Sequence, residues 1–145
     1  MPHKLCTMKH INLTTLSKTI AAYQMCYKNG NKEWEEKHYA TITNMLTSLP
    51  HGSGIDNGVK LDWDRTVANK IIFTFEFHHM NEAGYYDGWT AHNLVITPTF
   101  DTFDLRITGR DRNNVKEYLY QIFYDTFTTK YFAAYLHCNA AHQSM

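Results

Sequence analysis

The sequence lacks an excess of charge of either sign. Fourteen Lys and Arg residues balance fourteen Asp and Glu residues, which gives a formal net charge of zero. Proteins that bind long DNA or RNA hold the phosphate backbone largely through excess Lys and Arg. The balance therefore argues against long nucleic acid as a partner. A small anionic ligand needs only two or three local cations and is still allowed.

Cysteine is scarce, and long apolar runs are absent. Cys6, Cys26 and Cys138 are odd in number, far apart and form no CxxC pair, which fits reduced thiols in a cytosol. No apolar run reaches the roughly 18 residues of a membrane span, and the start of the chain has no signal-peptide pattern. We therefore expect a cytoplasmic protein without membrane attachment.

Complete catalytic motifs are also missing. The sequence contains no nucleophile elbow, P-loop, dinucleotide fingerprint or HExxH motif. We therefore assign no cofactor and no metal from the sequence. With 145 residues and no Pro/Gly/Ser-rich linker, the chain is expected to form a single domain over residues 1–145, with loose ends at 1–11 and 139–145.

Helical periodicity is present near the start of the chain. Apolar residues recur every three or four positions from Leu13 to Tyr27, with Asn12 as the N-cap. A second helix is expected from Asn31, with acidic residues in its first turns and a stop at Pro50. The two helices should form an αα-hairpin.

Alternating apolar residues then predict four strands. They cover residues 59–63, 71–80, 89–97 and 103–108, after an irregular loop at 51–58. A C-terminal helix follows, with a buried stripe from Val115 to Phe127. The expected class is α+β: an N-terminal αα-hairpin, a four-stranded antiparallel meander, and a C-terminal helix packed on one sheet face.

The strand pattern also predicts which residues share a face. If the wholly apolar sets face the core, a hairpin centred near Gly84 or Tyr85 pairs Phe75 with Leu94 and Glu76 with Asn93. Either Arg106 or Thr108 should then lie beside Asn93. We therefore expect a row formed by Glu76, Asn93 and Arg106 on the face turned away from the core, with His78 and Trp89 toward one end.

Two groups of residues on or near this sheet could bind a nucleotide. Arg110 and Arg112 lie at a strand-to-helix junction, where free amides favour phosphate, and Arg106 precedes them on the strand. A charged loop paired with acids or facing water is equally consistent with these arginines. Tyr85, Tyr86 and Trp89 crowd the hairpin connection and could stack on a base, although a self-packed loop or an oligomer contact explains them as well.

Four histidines form the third candidate group: His51, His78, His79 and His92. His78 and His79 are adjacent on a strand and must point to opposite faces, which argues against a compact zinc cluster. His79 and His92 could share a face and ligate a metal with a carboxylate. If the protein is an enzyme, these four histidines are its candidate acids and bases for metal-free phosphodiester cleavage. Structural hydrogen bonding is the simpler interpretation.

Three blocks carry a resemblance: LPHGSGID (49–56), HHMNEAGYYDGWTAH (78–92) and ITGRDRNNVKEYL (107–119). They resemble small accessory proteins of tailed bacteriophages. The resemblance implies a role in an infected bacterial host, where such proteins include antagonists of Thoeris and CBASS immunity that sequester or destroy nucleotide signals.

We therefore expect a homo-oligomer that sequesters a cyclic dinucleotide or an ADP-ribose derivative. In this hypothesis the arginines hold phosphate, the aromatic rings stack on the base, and Glu76, Asn93 and His78 complete the site. A phosphodiesterase or a protein-binding inhibitor of a host defence enzyme are the alternatives.

Overall fold

A computed structural model describes residues 10–129 of the chain. Its strands are β1 (Ile11–Asn12), β2 (Ile55–Leu61), β3 (Ile71–Met80), β4 (Tyr86–Pro98), β5 (Phe103–Thr108) and β6 (Phe127–Thr128). Its helices are α1 (Leu13–Asn29), α2 (Lys32–Leu46) and α3 (Val115–Thr126). None of these three helices combines the length and apolar character required to cross a membrane.

The two N-terminal helices begin at the predicted caps, and α1 ends at the predicted glycine, whereas α2 ends at Leu46, before the stop expected at Pro50. The Asn12 side chain accepts a hydrogen bond from the Thr15 amide at 2.9 Å, and Asn31 caps α2 in the same way. Between them Gly30 has a φ of 73°, the left-handed conformation in which glycine readily ends a helix. The predicted helix pair is confirmed, and α1 packs against α2.

Strands β2 to β5 form an antiparallel meander in sequence order, which confirms the α+β class. The alternate side chains of one sheet face join residues of α1, α2 and α3 in a single core. Burial of these side chains supplies the main stabilising free energy of the domain. The largest fully buried core side chains are Ile11, Leu13, Leu16, Ile20, Ile42, Ile71, Phe73, Leu94, Ile96, Leu119 and Phe123.

The predicted register of the central hairpin is wrong by two residues. Phe75 pairs with His92 and not with Leu94. Glu76 correspondingly pairs with Ala91. Because side chains alternate with a period of two, this shift preserves every face assignment but changes the cross-strand neighbours. The strands continue pairing to Met80 and Tyr86 after a bulge, so the connection is shorter than the sequence suggests.

Some element boundaries also differ from the expectation. The second half of the expected loop at 51–58 belongs to β2, which is irregular between Asp56 and Lys60. Ile11, expected in the loose N-terminal segment, is buried and pairs in parallel with Phe127. Helix α3 ends at Thr126 because the chain becomes extended at Phe127. The expected loose end at 139–145 lies outside the described residues.

Candidate functional site

The sheet face opposite the core, called the outer face below, carries polar and aromatic side chains. Its residues follow from the strand pairing, because paired residues of an antiparallel sheet share a face. The face is least accessible at Ile72, where Thr66 folds over the strand and bonds the Ile72 backbone. Polar and aromatic residues of this face include Asp56, Glu76, His78, Trp89, Asn93 and Arg106.

The predicted row of Glu76, Asn93 and Arg106 is a diagonal. All three residues lie on the outer face, but they belong to different cross-strand pairs because of the two-residue register shift. Asn93 is opposite Thr108, and its side-chain oxygen accepts a hydrogen bond from Arg65 Nη2 at 3.0 Å. Arg65 is thus a cation of this face that the sequence analysis missed.

Arg65 lies in the turn after β2, and periodicity says nothing about where a turn residue points. Its Nε donates to Asp62 Oδ2 at 2.6 Å, and this bond aims the guanidinium across the sheet toward Asn93. The same hydrogen bond lowers the pKa of Asp62. The Asp-to-Arg spacing of three residues was the available sequence signal, but the contact with Asn93 depends on the tertiary fold.

Three aromatic rings mark the hairpin end of the sheet. Tyr85, Tyr86 and Trp89 expose 72%, 59% and 53% of their surface. Trp89 pairs with His78 across β3 and β4, and the Tyr86 ring centroid lies 5.4 Å from that of His78. Tyr86, His78 and Trp89 are called the ring cluster below. Such exposed rings are typical of a binding surface.

The three arginines predicted to hold phosphate have different surroundings. Arg112 Nη2 lies 2.6 Å from Asp87 Oδ2, and Nη1 donates to the Asp87 carbonyl oxygen. Arg106 and Arg110 are exposed and form no ion pair with another residue of the range 10–129. Near the start of α3, the Asp111 carboxylate accepts a hydrogen bond from the Lys116 amide at 3.2 Å. An internal carboxylate therefore already occupies part of the predicted anion site.

The four histidines are divided among three places. His51 lies in the loop before β2, beside an open depression of about 470 Å³. His78 belongs to the outer face, whereas His79 and His92 are buried on the core side. The structure therefore does not assemble these four histidines into one acid and base site. Another open depression, of about 800 Å³, lies along the side of α3. None of the predicted ligand-binding residues lines it.

The buried histidines form a hydrogen-bonded chain through Thr90. His79 Nε2 lies 2.8 Å and His92 Nε2 lies 2.6 Å from Thr90 Oγ1, and His92 Nδ1 is 3.1 Å from the Thr108 carbonyl oxygen. The Thr108 carbonyl can only accept, so His92 Nδ1 carries a proton; in a neutral imidazole Nε2 then accepts from the threonine hydroxyl, whose oxygen accepts from His79 Nε2.

Burial is the main reason why the pKa values of His79 and His92 are lowered. For His92 the hydrogen bond to Thr108 opposes this shift, and the charge of Lys116 adds to it. This hydrogen-bonded group of His79, Thr90 and His92 therefore favours neutral histidine. It agrees with the interpretation of these histidines as structural hydrogen-bonding groups.

A carboxylate pair lies next to the ring cluster. Asp56 on β2 is directly opposite Glu76 on β3, and His78 follows on the same face. Each of these three residues offers one possible metal-ligand atom, a carboxylate oxygen or an imidazole nitrogen. The three atoms lie within 4.8 Å of one another. Glu76 and His78 were expected on this face from the strand pattern, whereas Asp56 was not, because residue 56 was expected in an irregular loop. Only the β2–β3 pairing reveals the group.

No family model, curated protein or solved structure matches this chain.

Proposed function

We propose that this protein binds a small nucleotide on its outer face and retains it without converting it. The exposed rings of Tyr86 and Trp89 beside His78 are the observation that carries the proposal. Stacking of a base on one such ring contributes about 1 to 3 kcal/mol. The rings lie beside polar groups, as a ligand with an apolar face and charged ends requires.

Charged and polar side chains of the same face supply the remaining contacts. Arg106 is an exposed cation with no acidic partner among the residues described, and Arg65, although paired with Asp62, directs its guanidinium to Asn93 on the same face. Guanidinium groups bind phosphate in a planar, two-point geometry. Glu76 and Asn93 offer acceptors and donors for the edges of ribose or base.

Retention is favoured over cleavage because the histidines are dispersed. General acid and base catalysis needs both groups within hydrogen-bond reach of the reacting atoms. His79 and His92 are buried on the other side of the sheet and already bonded through Thr90. Of the four candidate histidines, His78 alone belongs to the outer face.

The resemblance to phage accessory proteins suggests the ligand class: a cyclic dinucleotide or an ADP-ribose derivative that signals in bacterial immunity. Assembly as a homo-oligomer belongs to the same proposal. Burial of the ligand between subunits excludes water, which strengthens charged hydrogen bonds. The protein would act by lowering the free concentration of the signal.

The test is incubation of the purified protein with each nucleotide, removal of free ligand, heat denaturation and mass spectrometry of the supernatant. We expect intact nucleotide in stoichiometric amount from the wild type. Recovery of a cleaved product would support the phosphodiesterase alternative. Absence of retained nucleotide, together with co-purification of a host defence enzyme, would support the protein-binding alternative. Either result would overturn the proposal.

A further inference from the structure

The pairing of Asp56 with Glu76 places two carboxylates directly opposite each other on adjacent strands. Their backbones are in register, and both side chains are on the outer face. Like charges at directly opposed positions destabilise a sheet. Both side chains are about half exposed, so water reduces this repulsion without removing it. A positive charge close to both carboxylates would remove this repulsion.

His78 points at this pair but does not bond to it in the usual way. Its Nε2 atom lies 3.3 Å from Asp56 Oδ2 and 3.7 Å from Glu76 Oε2. Charge-assisted hydrogen bonds between nitrogen and a carboxylate are shorter, about 2.7–2.9 Å. The Nε2 atom is also shielded from solvent and has no hydrogen-bond partner, although the whole side chain is 29% exposed. A buried nitrogen without a partner requires an explanation, and an ion is one.

The distances from His78 Nε2 to the two carboxylates suit a shared metal ion. Zinc binds nitrogen and carboxylate oxygen at about 2.0–2.2 Å, so two ligands of one tetrahedral ion lie roughly 3.3–3.6 Å apart. The two distances from Nε2 are close to that range, and the donor atoms of the three residues all lie within 4.8 Å of one another. We propose that Asp56, Glu76 and His78 form a binding site for a divalent transition-metal ion, with Nε2 and one oxygen of each carboxylate as ligands.

The chemistry of this donor set fits such an ion. One imidazole and two carboxylates suit Zn²⁺ or Mn²⁺, and three protein ligands leave a position open for water or substrate. Asn57 donates a hydrogen bond to Asp56 Oδ2 at 3.2 Å, which restrains the orientation of that carboxylate. Support of a ligand by a neighbouring hydrogen bond is a regular feature of metal sites.

The open position connects this site to the ring cluster. His78 belongs to both, so a metal-bound ligand would lie next to Tyr86 and Trp89. Two bare carboxylates repel a phosphate, whereas a bound divalent cation neutralises them and can bind a phosphate oxygen at its open position. This part of the inference rests on the proposed nucleotide function. A phosphate oxygen would be a ligand of the ion while the base stacks on the rings.

The metal site is tested first with Mn²⁺ alone. Mn²⁺ favours oxygen and imidazole donors over thiolates, so the three cysteines interfere little. The chelator-treated full chain is titrated while electron paramagnetic resonance reports the free ion. We expect one saturable site, with affinity at least tenfold weaker in Asp56→Asn, Glu76→Gln and His78→Ala. His51→Ala, a histidine outside the site, should bind as the wild type does.

Two results would overturn the metal site: no saturable binding by the wild type up to millimolar Mn²⁺, or binding that all three ligand variants retain. Circular dichroism of each variant shows whether it is folded. A second measurement compares nucleotide retention with and without Mn²⁺. Metal binding without any nucleotide retention would contradict the proposed function but support the site. Retention that a chelator leaves unchanged would contradict the phosphate bridge alone.

Discussion

Arg112 holds Asp87 through both its carboxylate and its carbonyl oxygen, with Nη2 at 2.6 Å from Oδ2. This contact joins the segment before α3 to the bulge near the tip of the β3–β4 hairpin. Gly88 beside it has a φ of 86°, and a Cβ atom there would lie 3.3 Å from Arg112 Nη1. The guanidinium therefore restrains the part of the hairpin that bears the exposed rings.

Arg112→Ala should loosen the hairpin connection. The pair is partly exposed, so its removal together with the carbonyl bond should lower the free energy of unfolding by about 0.5–2 kcal/mol. Amide hydrogen exchange over residues 81–89 should become faster, whereas the core strands should change little. Arg110→Ala is the matched control, and equal exchange in both variants would contradict the restraint.

Trp89→Ala should weaken nucleotide binding. Loss of one stacking ring corresponds to about 1 to 3 kcal/mol, or roughly a 5- to 150-fold increase in Kd. Isothermal titration with the retained nucleotide measures the change. Phe100 is fully exposed in another loop, and Phe100→Ala is the control for loss of a surface ring. An unchanged Kd in Trp89→Ala would exclude the ring cluster as the base site.

Stability should fall in mild acid because of His92. Burial lowers its pKa below the usual value of 6.5, so the unfolded chain binds a proton more readily than the folded protein. The free energy of unfolding should therefore decrease as pH falls below about 6.5, until the folded imidazole also titrates. Urea titrations at pH 7.5, 6.5 and 5.5 measure this. His92→Gln should be less stable at neutral pH, but its free energy of unfolding should depend less steeply on pH. An unchanged pH dependence would refute the assignment of this effect to His92.

Gly109→Ala should be strongly destabilising. The residue has a φ of 108°, and a Cβ atom would overlap the Ala91 carbonyl oxygen and lie 2.8 Å from His92 Nδ1. Backbone strain and overpacking together should cost about 2–5 kcal/mol in a chemical denaturation experiment. Gly84 also has a positive φ, of 84°, but nothing lies near its Cβ position. Gly84→Ala should therefore cost only about 1–2 kcal/mol, and equal losses would contradict the steric argument.

Local patterns predicted much of this fold because they depend on neighbouring residues. The caps at Asn12 and Asn31 satisfy amides three residues away, so their role is visible in the chain itself. The faces of β3, β4 and β5 follow from alternation, and a register shift of two residues left them correct. The parallel pairing of Ile11 with Phe127 had no such signal, because it joins distant parts of the chain.

The candidate site was only partly predictable for the same reason. Tyr86 and Trp89 were predicted because aromatic residues near a turn are conspicuous in any sequence, and His78 because strand alternation places it on the outer face. Arg65 was missed because its contact with Asn93 crosses 28 positions of the chain. Asp56 was missed because a strand with an irregular register resembles a loop in the sequence.

The sequence by itself determined the order of the three helices and of strands β2 to β5, and which side chains of the central strands leave the core, since these follow from short-range periodicity and capping. The tertiary structure decided which of those side chains meet. Strand register, the path of the turn after β2 and the burial of two histidines each depend on packing between distant segments. Asp56, Glu76 and His78 therefore become one group only in the folded sheet.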